Sequence, residues 1–138
     1  MVFDHSCRHD LVRSNGHAYF IDFMRNESAR PGHKAMAAFV LATVCTDFDH
    51  GQASCFQSGL LDVLVPLLAE PHALLRWWSA LCLARLWSNN PEALAKGASA
   101  ECGIRANTAQ LLTDSVAEVR AAAVLACLLY TSPSPRDS

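Results

Sequence analysis

His5 and His9 stand four residues apart, a spacing that sets two imidazoles on one face of a helix and could begin a zinc site. A zinc-dependent hydrolase built on this pair is the enzyme reading the chain offers. Zinc wants three or four ligands at set spacings, and the chain has neither an H-E-x-x-H nor a C-x-x-C pattern. The pair therefore reads as exposed polar residues on a terminal helix. Cys45, His50 and Cys55 form a second grouping, five residues apart each way, which matches no structural zinc pattern. They read as a buried thiol on each of two helices flanking a loop. Nucleophilic catalysis needs a base, an orienting group and an oxyanion site converging on one pocket. No G-x-S-x-G elbow, Gly-rich phosphate loop or paired-acid motif is present. The expectation is a non-enzyme with no catalytic residue, metal or cofactor.

Recognition is the remaining chemistry. Trp77, Trp78 and Trp87 fall within eleven residues, with Arg76 and Arg85 beside them. Tryptophan and arginine are enriched among residues that anchor protein partners. Trp78 falls on the Leu75/Cys82 side of a helix and reads as core, whereas Trp77 and Trp87 lie off that centre. Arg76, Trp77 and Arg85 are the partner-surface candidates.

These residues need helices to position them. Ala and Leu supply 40 of the 138 residues, against 16 for Val, Ile and Thr, a balance that favours helix over strand. An apolar fraction of 51% with a formal charge of −2 excludes a disordered chain. It also leaves no basic excess with which to neutralise nucleic-acid phosphates. The most apolar stretch, Leu60 to Trp87, carries Asp62, Glu70, Arg76 and Arg85, so no membrane insertion is expected. The N-terminus shows no basic segment followed by an apolar one, so the six cysteines read as reduced thiols of a cytoplasmic protein.

The chain repeats itself. Glu70-Pro71-His72-Ala73-Leu74-Leu75-Arg76 aligns with Asp114-Ser115-Val116-Ala117-Glu118-Val119-Arg120, and Leu67-Leu68 with Leu111-Leu112, all 44 residues apart. Ala38 to Ala42 aligns with Ala80 to Ala84, and Lys34 with Arg76, 42 residues apart. Such periods, with two helices each, mark HEAT and armadillo repeats. The pairs are Gly16–Asn26 with Gly32–Thr46, Leu60–Ala69 with Pro71–Ser88, and Ile104–Thr113 with Val116 to about Ala126. Short helices are expected over Asp4–Arg13 and Gln52–Gln57. Glu70 and Asp114 are placed to cap the second helices. Those second helices are apolar nearly all round, so they need cover on every side. The expected fold is all-α, an α-solenoid of about three HEAT/armadillo-type units truncated at both ends.

The last stretch, Cys127 to Ser138, replaces this pattern with a Ser/Pro tail. It resembles the in-frame translation of a sequencing-library adapter, so residues 1–126 are read as the repeat segment and residues 127–138 as a non-native tail.

Several ordered motifs resemble the helical-repeat region of the Raptor family, regulatory adaptors of the TOR kinase. They are Asn15-Gly16-His17-x-Tyr19-Phe20, Gly51-Gln52-x-x-Cys55, Pro71-His72-x-Leu74-Leu75-Arg76, Leu86-Trp87-x-Asn89, Cys102-Gly103-Ile104-Arg105 and Glu118-Val119-Arg120-x-Ala122-Ala123-Val124. The resemblance covers roughly Ser6 to Ala126. It departs at Trp77, where the family has a polar residue, and over Asn90 to Ala98, which reads as an insertion between the second and third units. The resemblance implies a non-catalytic scaffold of TOR complex one that binds TOR kinase and Rag-type small GTPases. It implies that TOR substrates are held through the full-length adaptor, and that the complex is recruited to the lysosomal or vacuolar surface in the amino-acid response. A HEAT adaptor of another complex, such as a transport receptor or phosphatase scaffold, is the alternative.

Overall fold

Three residues in the left-handed region punctuate the chain 44 positions apart: Asn15 (φ 68°), Gly59 (φ 87°) and Gly103 (φ 74°). Glycine, and to a lesser degree asparagine, tolerates this conformation, so each can turn the backbone sharply into a following helix. The computed structural model describes residues 5–98 and 103–131, without the side chains of His5 and Thr131. The described residues form α1 (His5–Arg13), α2 (Gly16–Arg25), α3 (Pro31–Cys45), α4 (Asp49–Gln57), α5 (Leu60–Leu67), α6 (Ala73–Trp87), α7 (Pro91–Gly97), α8 (Ile104–Leu111) and α9 (Ala117–Thr131).

The units are triplets rather than pairs. Each has a short helix, a middle helix entered through a left-handed residue, and a long last helix: α1–α3, α4–α6 and α7–α9. Asp47 (φ 51°) and Asn89 (φ 54°), 42 apart, turn the chain out of α3 and α6. The stretch expected to be an insertion, Asn90 to Ala98, instead holds α7 in the place that α1 and α4 occupy. Pro91 takes its first turn and Asn90 caps it, the Ala93 N–H donating to Asn90 Oδ1 at 3.4 Å.

The long helices stack side by side, α6 between α3 and α9, while α5 lies between α2 and α8 in a second layer. The all-round apolar character of α6 follows from this placement. Leu75, Ala80, Cys82, Leu83, Ala84, Leu86 and Trp87 are all buried. Trp87, expected off the centre, is among the largest fully buried side chains, whereas Trp78 and Trp77 are half-buried. The architecture is an α-solenoid of HEAT/armadillo type.

Hydrogen bonds repeat with the units. Arg8 on α1 donates to the carbonyls of Thr43 and Thr46, closing the end of α3. Forty-four residues on, Gln52 Nε2 on α4 donates to those of Arg85 (2.8 Å) and Ser88 (2.6 Å), closing the end of α6. Free carbonyls at a helix C-terminus need such partners. At the start of the last helices the caps differ. Asp114 Oδ1 accepts the Val116 N–H at 3.0 Å, as expected. On α6 the acceptor is His72 Nδ1, taking the Leu75 N–H at 3.3 Å, in place of Glu70. α6 starts at Ala73, so Pro71 precedes the helix instead of opening it.

Candidate interaction surface

Arg76 leaves α6 toward the third unit. Its Nε donates to Asp114 Oδ2 at 2.8 Å and its Nη2 to Asp114 Oδ1 at 3.1 Å, a two-point fork across 38 residues of sequence. Its Nη1 donates to the carbonyls of Glu70 (3.0 Å) and Pro71 (2.7 Å). The two side chains are 14% and 9% exposed, so Arg76 is committed largely inside the molecule. The guanidinium hydrogen bond holds the Asp114 carboxyl below the ordinary carboxylate range against the opposing effect of burial. The Val116 N–H and the Arg76 and Arg120 charges add to it.

Arg85 lies about 180° from Arg76 around α6, while Trp77 lies only about 80° from Arg85. The structure therefore brings Trp77 and Arg85 onto one side and sets Arg76 on another. Between them lies Leu81, making a ridge of Trp77, Leu81 and Arg85 at four-residue spacing. All three are half-buried. Trp77 sits 5.8 Å from Trp78, whose ring in turn meets Phe39 of α3 at 4.9 Å between centroids.

Sequence reasoning missed the wider extent of this side. Phe39, Leu81 and Leu125 occupy equivalent positions on α3, α6 and α9, as do Thr43 and Arg85 on α3 and α6. All five are half-buried. A side that faced a neighbouring unit would be buried in the middle of the array and exposed at one end. Uniform half-exposure identifies a side left open along all three long helices. The 42- and 44-residue offsets, applied to Arg85, are the signal that finds it.

The chemical candidates of the sequence are dispersed. The side chain of His5 lies outside the described residues, and the His9 ring lies tilted beside those of Phe48 and His50, with centroids 6.3 Å and 6.5 Å away. Among the described residues no group of three His, Cys, Asp or Glu side chains gathers to hold a metal ion. Cys45 and Cys55 are fully buried, with Cys82 beside them. A hydrogen bond with Cys55 and burial push the Cys45 thiol well up, and burial does the same for Cys82. Such thiols stay protonated and are poor nucleophiles. Cys102 lies outside the described residues. No described helix is long and apolar enough to cross a membrane.

No family model matches the chain. It is 39% identical over 126 residues to the protein raptor homolog of Dictyostelium discoideum, covering 91% of this chain and 8% of that protein. It is 36% identical over 132 residues to the target of rapamycin complex 1 subunit mip1 of Schizosaccharomyces pombe, covering 91% of this chain and 10% of the subunit. Among solved structures, Chaetomium thermophilum Raptor superposes with a TM-score of 0.86 at 33% identity, covering 96% of this chain and 13% of that one. An engineered protein with the same TM-score but 23% identity shows the fold alone. The chain thus spans about a tenth of the length of the curated relatives it matches. With the identity running along nearly all of the chain and the fold agreeing, it belongs to the Raptor family, as a segment of the helical-repeat region.

Proposed function

We propose that this segment is a non-catalytic scaffold element of TOR complex one. The observation that carries this reading is the match, over about nine-tenths of the chain, to a relative named as a subunit of that complex. A stack of helical units offers an extended, stiff surface and needs no reacting group. In this reading the open side of the long helices contacts TOR kinase and contributes to the surface that takes Rag-type small GTPases. TOR substrates are reached only through the full-length adaptor, whose complex is recruited to the lysosomal or vacuolar surface. Trp77 and Arg85 are the contact residues on the ridge, and Arg76 serves them by fixing α6 against the third unit. Residues 127–138 are an adapter-derived tail following the repeat segment 1–126, so no partner residue is placed there, although α9 runs on to Thr131.

The test is a pull-down from cells with the full-length parent carrying alanines at Trp77 and Arg85, with an Arg76→Ala form alongside. Loss of TOR kinase or Rag GTPase from the Trp77/Arg85 variant, with the parent still folded, supports the ridge. Unchanged recovery of both partners removes these residues from the surface.

A further inference from the structure

A cavity opens in the third unit where the second is filled. Its volume is about 90 Å³, and it is lined by Trp87 of α6, Arg105, Thr108 and Ala109 of α8, and Cys127 and Tyr130 of α9. The differences between units explain the space. Leu61 and Leu64 are fully buried on α5, and 44 residues on, Arg105 and Thr108 stand at their positions on α8. Val65 gives way to Ala109 at the same offset. Thr108 and Ala109 are shorter, and Arg105 is exposed, so the room that leucines would fill is left open.

Gly97 lets Trp87 reach this cavity. At the preceding junction the Cys45 thiol hydrogen-bonds with Cys55, and 42 residues on the same two positions hold Trp87 and Gly97. A Cβ on Gly97 would lie 2.9 Å from Trp87 Cζ2 and 3.3 Å from its Nε1, so the indole takes the space of the missing side chain. Two polar atoms in the lining are stranded. Trp87 is 2% exposed and Thr108 4%. The Trp87 Nε1–H and the Thr108 hydroxyl are both buried, and among the described residues neither has a hydrogen-bond partner. Such burial is costly unless something fills the vacancy. An indole N–H can only donate, so what is missing is an acceptor. The Tyr130 hydroxyl is engaged elsewhere, accepting from Arg105 Nε at 2.8 Å. The Arg105 guanidinium lies 5.2 Å from the centre of the Tyr130 ring and places a positive charge at the mouth. Among the lining residues none is acidic.

The geometry points to a carboxylate subsite. The carboxylate accepts from Trp87 Nε1 and Thr108 Oγ1, and Arg105 meets its charge at the mouth. The volume is far below the ~300–1,000 Å³ of a site for a drug-sized molecule, and suits a carboxyl group on a short aliphatic arm. Its source is a short free acid or the end of an acidic side chain on a protein docked over α8. Trp87, Arg105 and Thr108 all lie within residues 1–126, so the subsite belongs to the repeat segment and Tyr130 forms a wall of it. The proposal is independent of which complex the segment serves.

Nuclear magnetic resonance of the indole N–H groups of Trp77, Trp78 and Trp87 in the 138-residue chain tests it, with Trp87 assigned by Trp87→Phe. Sodium propionate is expected to shift the Trp87 signal saturably and to leave those of Trp77 and Trp78 in place. Propanol and sodium chloride at the same concentrations are expected to move none of the three. Thr108→Val is expected to weaken propionate binding about tenfold and Arg105→Gln about fivefold, with Thr108→Ser within about twofold of wild type. Unchanged Trp77 and Trp78 signals report that each variant is folded, and the wild-type comparison of propionate with propanol decides the proposal even where a variant is not. A Trp87 signal that propionate leaves unmoved, or that propanol moves equally, overturns the proposal and leaves a cavity for water. Tyr130→Phe is expected to keep binding within about threefold. Its loss there would also overturn the proposal, by making the pocket a property of residues 127–138. N-acetylglutamate N-methylamide separates the sources. Binding at least as tight as that of propionate assigns an acidic side chain, and its exclusion while propionate still binds assigns a free acid.

Discussion

Replacing Asp114 with alanine removes one carboxylate but loosens two junctions. Arg76 loses both acceptors of its fork, and α9 loses the cap on the Val116 N–H. Breaking a buried pair by removing one partner costs about 3–5 kcal/mol, because the surviving charge is stranded. Here Arg76 keeps the Glu70 and Pro71 carbonyls and slight solvent access, which lowers that figure. The lost cap adds about 1 kcal/mol. The net expectation is about 3 kcal/mol, or a fall in Tm of about 10 °C for a chain of this size. The assay is thermal unfolding followed by circular dichroism at pH 7, with Asp62→Ala as the control. Asp62 pairs with Lys96 at the same 2.8 Å, but those side chains are 63% and 42% exposed, so its loss is expected to cost under about 1 kcal/mol. The pH dependence has a definite sign. A carboxyl whose folded value is depressed stabilises above its unfolded value, near about 3.9, and that contribution fades as pH falls through the folded value. Wild type and Asp114→Ala should therefore converge in strong acid. Equal small losses for Asp114→Ala and Asp62→Ala would refute the view that burial and the fork make this junction matter.

Three further outcomes follow from local geometry. Gln52→Leu strands the Arg85 and Ser88 carbonyls and is expected to cost about 2 kcal/mol, read by urea unfolding, with faster amide exchange in the last turn of α6. Gly59→Ala meets both a left-handed backbone and Arg25 Nη2 at 2.6 Å, so it should destabilise by about 1–2 kcal/mol, whereas Gly32→Ala, with open space, should be neutral or slightly stabilising in the same assay. Burial, then the charge of His50, lowers the His17 imidazole below its ordinary value. Stability should fall as pH drops below about 6.5, where the unfolded chain takes up the proton more readily, and His17→Leu, matching Leu61 one unit on, should flatten the pH 5–7 slope of Tm.

The helices that carry their own punctuation were legible from the residues alone. Asn15-Gly16 and Gly59 mark the first two middle helices, and apolar character on every side marks α3 and α6 as buried. The repeat offset followed from a few aligned side chains. What the residues did not reveal depends on distance through the stack. Pro91 to Gly97 is a short polar-and-alanine helix with little pattern, and only its place against α6 shows it as the lead helix of the third unit. Arg76 looks like an anchor for a partner until Asp114, 38 residues on, is brought against it. Trp87 looks peripheral on the wheel of its own helix, because the wheel omits what lies beyond that helix. Leu81 and Arg85 need both scales, the wheel for their spacing and the stack for their exposure; Trp77 shares their side of the wheel, but its register is buried at Ala35 and exposed at Ala121.

The most direct test of a scaffold surface on this ridge is photo-crosslinking at its centre. A photoreactive phenylalanine analogue replaces Leu81 in the full-length parent, and the complex is irradiated after assembly in cells. The account predicts a crosslinked product containing TOR kinase or a Rag-type GTPase. Crosslinks confined to the parent chain, from a complex that still contains both partners, would contradict it.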